Sequence, residues 1–288
     1  MDYILEIQNL YKQFPKTNFC LNDVSFSLPY GSIMGFVGEN GAGKTTTISC
    51  ILNVLSKDSG TVKLFGKEMT DSDIDTRSDI GVVFDASNFS ENLTAGQLSK
   101  VMQGIYTRWD DVIYTDYLMR FELPQEQKIK NYSKGMAMKL AIAVALSHSP
   151  KLLLLDEATS GLDPVVRDEM LDVFLDFVQN ENHSILLSSH ITSDLEKIAD
   201  YITFIHHGKI ILSAKKDDLI YKYGVVRCKS SQFETINKKD VVAYRKRDYQ
   251  IDVLVTDRHA IQREYKGLVL DQVFIDDIML LLIKGERL

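Results

Sequence analysis

The sequence predicts an α/β protein organised around a parallel β-sheet. Short apolar segments of strand length, at residues 31–37, 152–155 and 184–188, alternate with longer segments that have helical patterns. This alternation is typical of βαβ units, in which a helix connects two parallel strands. A glycine-rich turn follows the first of these strands and an acidic pair follows the second. We therefore expect the functional residues at the edge of the sheet where these strands end.

The composition is that of an ordinary globular protein and argues against several classes. The 288 residues are enough for about two domains. The net charge of −7 argues against a nucleic-acid-binding surface, which is usually basic. Cys20, Cys50 and Cys228 form no metal-binding or disulfide pattern and favour a reducing compartment. We expect no signal peptide and no membrane span, since the longest apolar run covers only residues 140–146.

The first part of the chain is predicted to be rich in β-structure. Strands are expected at residues 5–9, 19–28, 31–37, 61–65 and 80–84, with a helix at 45–52 after the glycine-rich turn. Residues 19–28 alternate apolar and polar side chains in the manner of a half-buried strand.

Residues 85–148 are predicted to be a helical subdomain inserted into the sheet. Helices are expected at 93–106, 112–121 and 134–146, with Ser133 as the N-cap of the last. In the first helix, five side chains recur with the spacing of one helix face: Leu98, Val101, Met102, Ile105 and Tyr106. This face either packs within the subdomain or docks a partner.

The sheet resumes after the helical stretch. Asp163 followed by Pro164 predicts the start of a helix that continues to about residue 180. A short helix capped by Thr192 or Ser193 is expected after the strand 184–188, and residues 202–206 and 210–213 predict a hairpin.

The pattern of predicted strands and helices changes after about residue 224. Strand-like segments at 241–244 and 250–255 and an amphipathic helix near 271–283 predict a small α+β unit. We expect one domain over residues 1–224 and a small accessory domain over 225–288. We find no chemical motif in the accessory unit, so its sequence assigns it no function.

The segment from Gly38 to Thr45 fits the pattern G-x-x-x-x-G-K-[S/T] of a phosphate-binding P-loop. A strand, a glycine-rich turn and a helix N-terminus together direct backbone N–H groups at an anion. Lys44 is predicted to reach the β- and γ-phosphates of a nucleotide, and the Thr45 hydroxyl to bind Mg²⁺. The alternative is a glycine-rich turn that matches the pattern by chance.

Two acidic residues and a histidine complete the predicted site. Asp156, at the end of a core strand, is suited to hold Mg²⁺, and Glu157 to orient a water for attack on the γ-phosphate. His190 follows another core strand and is expected at the same sheet edge, where it would donate to the γ-phosphate. The alternatives are a solvated acidic strand end and a structural histidine.

With these motifs in this order, the chain resembles the ATP-binding subunits of ABC transporters over about residues 3–224. Gly38–Thr45 matches the family's Walker A segment, residues 152–156 its Walker B segment, Glu157 its catalytic carboxylate, residues 160–163 its D-loop and His190 its switch histidine. The resemblance implies a P-loop NTPase (RecA-like) core sheet with the inserted helical subdomain, a β-rich N-terminal part and the small C-terminal α+β appendage.

The resemblance also implies a set of ligand-binding residues for ATP and Mg²⁺. Phe14 falls where the family places an aromatic that stacks on adenine, although it is otherwise explained as a core residue at a strand edge. The implied ATP-binding residues are Phe14, Gly38, Glu39, Asn40, Gly41, Ala42, Gly43, Lys44, Thr45, Thr46, Ser133 and Gly135. The implied Mg²⁺ ligands are Thr45, Asp156 and Asp85, and the implied catalytic residues are Glu157, His190 and Asp85.

Two positions depart from the family pattern. The signature, usually Leu-Ser-Gly-Gly-Gln, is here Tyr-Ser-Lys-Gly-Met at 132–136, so Ser133 and Gly135 remain while Lys134 replaces a glycine. A cation beside a phosphate should leave binding intact. Asp85 stands where the family usually has glutamine. It either coordinates Mg²⁺, which would slow hydrolysis or make it depend more tightly on metal occupancy, or is a loop residue that never reaches the site.

The signature and residues 83–85 together resemble ATPases of bacterial exporters of antibiotics, bacteriocins and amphipathic peptide toxins, including phenol-soluble modulins. This implies a membrane-spanning subunit on a separate chain, a second ATP-binding subunit that is either the same or different, no nucleic acid, and a peripheral location at the cytoplasmic face of the membrane. Residues 93–106 are the candidate docking helix. The alternatives are a soluble ABC-type ATPase not tied to transport and a binding-only subunit that needs an active partner.

Overall fold

A computed structural model describes residues 2–70, 73–84 and 89–287. Its first part contains β1 (Tyr3–Gln13), β2 (Cys20–Pro29), β3 (Ile33–Val37), α1 (Lys44–Ile51), β4 (Ser59–Leu64), β5 (Lys67–Glu68), α2 (Ile74–Ser78) and β6 (Ile80–Val83). The helical stretch that follows contains α3 (Ala95–Gln103), α4 (Asp111–Arg120) and α5 (Lys134–Leu146).

The chain then returns to the sheet and continues into the C-terminal part. The elements up to residue 221 are β7 (Leu152–Asp156), α6 (Pro164–Val178), β8 (Ser184–Ser189), α7 (Thr192–Ile198), β9 (Tyr201–His206), β10 (Lys209–Lys215) and α8 (Lys216–Tyr221). The last elements are β11 (Gly224–Cys228), α9 (Ser230–Phe233), β12 (Val241–Lys246), β13 (Ile251–Val255), α10 (Arg258–Glu264), β14 (Val269–Asp271) and α11 (Ile275–Lys284).

A six-stranded sheet in the order β10-β9-β3-β8-β7-β6 forms the centre of the molecule. Five of its strands are parallel, and β10 pairs antiparallel with β9 in the predicted hairpin. Every residue of β3, β7 and β8 is buried, because both faces of the sheet are covered. The carboxyl ends of the parallel strands therefore form one shared edge.

The two faces of this sheet belong to different cores. Leu152 and Leu154 of β7 face a core that includes the N-terminal sheet, whose strand order is β2-β1-β4-β5. Leu153 and Leu155 face the core that contains the helical stretch and α6. This alternation follows from the two-residue period of a strand, and it explains why the run 152–155 is apolar throughout.

The three helices α3, α4 and α5 all lie between β6 and β7, as the sequence predicts for the inserted segment. Ser133 is the N-cap of α5, and its Oγ accepts a hydrogen bond from the Met136 N–H at 3.2 Å. Helix α3 ends at Gln103 rather than at 106, and Gly104 is its C-cap, consistent with the low helix propensity of glycine.

The helix face predicted for α3 divides into two parts. Leu98 and Met102 are buried, and the Tyr106 ring stacks on His148 at a centroid distance of 4.0 Å. Val101 and Ile105 are instead 45% and 63% exposed. Because α3 ends before residue 105, Ile105 does not continue the buried face of the helix.

The C-terminal part has its own antiparallel sheet in the order β12-β13-β11-β14. The sequence patterns predict β12, β13 and α11 but not β11 and β14. The proposed boundary at residue 224 falls on the first residue of β11. One face of this sheet belongs to a small local core around Val226 and Val253. Its other face shares the main core through Leu254 and α11.

Across the described ranges, the structure contains no helix that is both long and apolar enough to cross a bilayer.

Candidate nucleotide site at the carboxyl edge of the sheet

The P-loop connects the end of β3 to the start of α1, as the motif predicts. Gly43 precedes α1 with φ of 116°, a left-handed conformation that favours glycine. A Cβ on Gly38 would lie 2.5 Å from the carbonyl oxygen of Ile205, so the loop passes too close to β9 for any side chain there. Glu39, Asn40 and Gly41 are exposed at the mouth of the loop, Ala42 is buried and Thr46 is half-buried.

Lys44 folds back across this loop and is only 5% exposed. Its Nζ donates to the Gly38 carbonyl oxygen at 2.7 Å and lies 3.0 Å from Glu157 Oε1. A buried ammonium requires such partners, since desolvation of an unpaired charge is costly. The lysine charge is therefore held at the loop mouth, against the acidic end of β7.

Asp156 joins three elements at the same edge and is 4% exposed. Its Oδ2 accepts a hydrogen bond from Thr45 Oγ1 at 2.6 Å, and its Oδ1 accepts one from the Ser188 hydroxyl. Hard oxygen donors of this kind are the ligands that Mg²⁺ prefers. Thr45 and Asp156 therefore fit the predicted metal-binding pair, with Ser188 orienting the carboxylate.

Glu157 lies between Lys44 and His190. Its Oε2 is 2.6 Å from His190 Nδ1, while its Oε1 faces Lys44. The residue has φ of 55°, a left-handed conformation that is uncommon outside glycine, and its N–H donates to the Ser188 carbonyl oxygen at 3.0 Å. Strained backbone of this sort concentrates at functional sites. The His190 side chain is 44% exposed, so it borders the open side of the site.

The hairpin tip between β9 and β10 supports the P-loop, a contact that the sequence motifs do not predict. The Gly208 N–H donates to the Ala42 carbonyl oxygen at 2.8 Å, and the Gly208 carbonyl oxygen accepts from the Asn22 N–H at 2.8 Å. His206 Nδ1 lies 3.9 Å from Glu39 Oε2, and burial together with His207 lowers the pKa of His206. The only sequence signal for this support is the His-Gly turn of the predicted hairpin.

The predicted adenine-stacking residue, Phe14, has a second aromatic residue, Phe19, as its neighbour. Phe14 is half-buried and packs against Phe19 at a centroid distance of 6.1 Å. Phe19 is the ring beside the P-loop, with its Cζ 3.1 Å from where a Cβ on Gly43 would lie. Asp85 lies outside the described residues.

Ser133 and Gly135 stand at the N-terminus of α5, where Ser133 is exposed. The contacts seen there are with the segment that leads into α6. Lys134 Nζ lies 3.0 Å from where a Cβ on Gly161 would be, and a Cβ on Gly135 would lie 3.7 Å from Val166. The signature therefore packs on the predicted D-loop of its own chain.

The fold and this site define a P-loop ATPase. A family model described as ABC transporter matches residues 21–160. The lantibiotic transport ATP-binding protein SrtF of Streptococcus pyogenes is 37% identical over 216 residues, which are 74% of this chain and 92% of that protein. The bacitracin transport ATP-binding protein BcrA of Enterococcus faecalis is 34% identical over 73% of this chain and 69% of its own length.

Solved structures agree with this assignment. An ATP-binding subunit of an ABC transporter, 26% identical, superposes with a TM-score of 0.68 over 75% of this chain and 91% of its own. The ATP-binding cassette MJ0796 in a dimeric post-hydrolysis state with ADP and Pi, 20% identical, shares the fold with a TM-score of 0.66 over 73% of this chain and 98% of its own. The chain belongs to the ATP-binding proteins of the ABC transporter family. The predicted family, fold class and ATPase activity are confirmed.

Proposed function

We propose that this ABC ATPase powers a membrane exporter of peptides, antibiotics or other amphipathic compounds. The observation that carries the catalytic part is the arrangement of Glu157 between Lys44 at 3.0 Å and His190 at 2.6 Å, beside the Thr45–Asp156 pair. The export of such cargo is supported by relatives named as lantibiotic and bacitracin transport proteins. Phe14 would stack on adenine, with Phe19 holding its ring.

Each residue of the site has a defined task in this proposal. The P-loop N–H groups and Lys44 bind the β- and γ-phosphates, and Lys44 thereby exchanges its contact with Glu157 for one with phosphate. Glu157 is then free to orient a water for in-line attack, and His190 holds the Glu157 carboxylate in place. Thr45 and Asp156 would hold Mg²⁺, which supplies neutralising charge to the phosphates. Asp85 remains a proposed further ligand.

A second ATP-binding subunit would close over each nucleotide. Ser133 and Gly135 stand exposed or half-exposed at the N-terminus of the 13-residue helix α5, which suits them to contact a γ-phosphate presented by another copy. Within the chain, Gly135 lies beside Val166 of α6, and Ser133 Oγ accepts the Met136 N–H of its own helix. The family resemblance assigns both residues to a partner's site. ATP that binds only the closed pair would promote dimerisation by mass action.

The membrane-spanning subunit would dock on the helical stretch. Val101 and Ile105 are exposed near the end of α3, whereas Leu98 and Met102 of the same predicted face are buried. This pair of exposed apolar side chains suits a contact with a separate protein and would hold the chain at the cytoplasmic face of the membrane. In cells that lack the membrane subunit, fractionation should recover the chain in the soluble fraction.

The Glu157→Gln variant tests the catalytic assignment. The amide keeps the shape of the side chain but cannot accept a proton, so Mg²⁺-dependent ATP hydrolysis should fall at least about 100-fold. ATP binding and ATP-dependent dimerisation should persist, as measured by equilibrium binding and light scattering. Glu126→Gln, at an exposed position, is the matched control. Wild-type turnover in Glu157→Gln would refute the assignment, and an inactive wild-type protein that binds ATP would instead identify a binding-only subunit.

A further inference from the structure

Helix α7 connects the nucleotide site to the C-terminal unit. It begins two residues after His190, whose Nδ1 lies 2.6 Å from Glu157. The intervening turn is held by a hydrogen bond from the Ile191 N–H to Ser189 Oγ at 2.9 Å. Because so short and constrained a segment joins them, a displacement of α7 would displace His190.

The ATPase core holds α7 on two sides. Leu195 and Ile198 are buried in the main core. On the side of α6, Lys197 forms an ion pair with Asp168 at 2.8 Å, and the buried Asp194 lies 3.8 Å from Arg167. Helix α6 itself follows the predicted D-loop, so these contacts also link α7 to that segment.

The C-terminal unit holds α7 at Glu196. Glu196 Oε1 accepts a hydrogen bond from the backbone N–H of Ile275, the first residue of α11, at 2.6 Å. From the first domain, Nζ of Lys216, at the start of α8, also donates to the Glu196 carbonyl oxygen at 2.8 Å. A carboxylate at a helix N-terminus is stabilised both by the free N–H groups and by the helix dipole.

The apolar face of α11 reinforces this link. Ile275, Ile278, Leu281 and Leu282 are buried in the same core cluster as Leu195 and Ile198 of α7. Helix α11 also has an acceptor of its own in its first turn, because Asp277 Oδ2 accepts the Phe274 N–H at 3.2 Å. The helix therefore has capping of its own, and the Glu196 contact chiefly joins α11 to α7.

We propose that Glu196 is a positioning residue for ATP hydrolysis, through which the C-terminal unit holds α7 and keeps His190 beside Glu157. This rests on the proposed role of His190. It gives residues 225–288 a task that their own sequence does not show, which is to fix His190 through α7. A shift of α11 would then slow hydrolysis while leaving the P-loop and Lys44 in place.

Glu196→Ala in the full-length chain tests the proposal. We expect kcat for ATP hydrolysis to fall by about 10- to 100-fold, the range typical of small displacements in a catalytic geometry. The affinity for ATP and KM should change by less than about twofold, because the P-loop is untouched. Backbone amides of residues 190–198 should exchange hydrogen faster, while those of α1 should not.

Two further variants separate positioning from simple destabilisation. Glu196→Gln retains the acceptor oxygen and should recover turnover to within about threefold of wild type, whereas Glu196→Asp is too short to reach Ile275 and should resemble Glu196→Ala. Glu264→Ala removes an exposed carboxylate from α10 of the same unit and should behave as wild type. If Glu196→Ala does not fold, Glu196→Asp supplies the measurement.

The outcomes distinguish this proposal from the one on which it rests. Near-normal kcat in both Glu196→Ala and Glu196→Asp would overturn the role of Glu196, provided that His190→Ala abolishes hydrolysis. Near-normal kcat in His190→Ala would instead overturn the role of the histidine. A parallel fall of ATP affinity and kcat in Glu196→Asp would show a general structural defect and would also refute the positioning role.

Discussion

The two edges of the parallel sheet differ in how their charged groups are arranged. At the carboxyl edge, Lys44 and Asp156 are 5% and 4% exposed, and the Glu157 side chain is 14% exposed. Each of the three has a charged or hydroxyl partner. At the amino edge lies a cleft of about 1350 Å³, lined by residues that precede β3, β7, β8 and β9. Its charged residues, such as Asp2 and Lys215, mostly face solvent. The cleft therefore differs from the predicted nucleotide site in the exposure of its charged groups.

The polar groups at the two edges of the sheet also have different roles. At the carboxyl edge, the N-terminus of α1 presents unpaired N–H groups to the P-loop, and the strained backbone of Glu157 aims a carboxylate at the same place. At the amino edge the polar groups complete the fold. Asp200 Oδ2 accepts the Ile33 N–H at 2.8 Å, and Lys151 forms an ion pair with Asp79 at 3.0 Å. These amino-edge groups connect neighbouring segments of the fold, whereas Lys44 and Glu157 at the carboxyl edge pair with each other inside the predicted site.

The largest effect that tests this comparison is expected from Gly208→Ala, in the hairpin that supports the P-loop. The new Cβ would lie 1.9 Å from the Cys20 carbonyl oxygen, at a residue with φ of 72°. We expect a loss of about 2–5 kcal/mol in unfolding free energy from backbone strain and overpacking together, and weaker ATP binding because Ala42 loses its support. Denaturant unfolding and equilibrium ATP binding measure the two effects.

Gly66→Ala is the matched control for this substitution. Gly66 has φ of 79°, but nothing lies within 4 Å of its added Cβ. It should lose only the strain contribution of about 1–2 kcal/mol and keep its ATP affinity. If Gly208→Ala and Gly66→Ala lose unfolding free energy and ATP affinity equally, the hairpin does not support the P-loop.

An intermediate effect is expected from His148, which lies near the amino edge, at the base of the helical stretch. It is 1% exposed, and its Nδ1 lies 3.2 Å from the carbonyl oxygen of Ser78. Burial lowers its pKa, so the folded state binds this proton less readily than the unfolded state does. The protein should therefore lose stability as the pH falls below the unfolded value of about 6.5.

His148→Phe should remove this part of the pH dependence. Between pH 7.5 and 5.5, the wild-type protein should lose more unfolding free energy than the variant does, by at most about 1.4 kcal/mol. The substitution of glutamine for the exposed His259 is the matched control for the loss of an imidazole. If His148→Phe loses as much unfolding free energy in acid as the wild type does, His148 does not titrate in this range.

Local patterns in the sequence predict where individual residues of the proposed site lie, but they do not predict the contacts between distant segments that surround them. Lys44 and Asp156 are recognised because short local patterns, a P-loop and a strand end, determine where their backbone lies. The hydrogen bond from Ser188 to Asp156 and the support of Ala42 by Gly208 arise between segments far apart in the chain, and no local pattern encodes them.

The C-terminal unit shows the same limit more strongly. β11 is only five residues long and is defined by pairing with β13 and β14, which lie later in the chain. The contact of Glu196 with Ile275 spans 79 residues. Ser133 and Gly135 illustrate a third case, because the proposed ligand of these residues belongs to another copy, and neither one sequence nor one chain places it.

The smallest effect is expected at the amino edge itself, from Lys215→Ala. Lys215 ends β10, is exposed and lines the large cleft. If this cleft is only a solvated surface, kcat and KM for ATP should change by less than about twofold, and unfolding free energy by less than about 0.5 kcal/mol. Asp217→Ala, which removes the opposite charge from the same cleft, should be equally silent. Opposite shifts of KM or of ATPase rate in the two variants would reveal a charged ligand at the amino edge, and the contrast between the two edges would then fail.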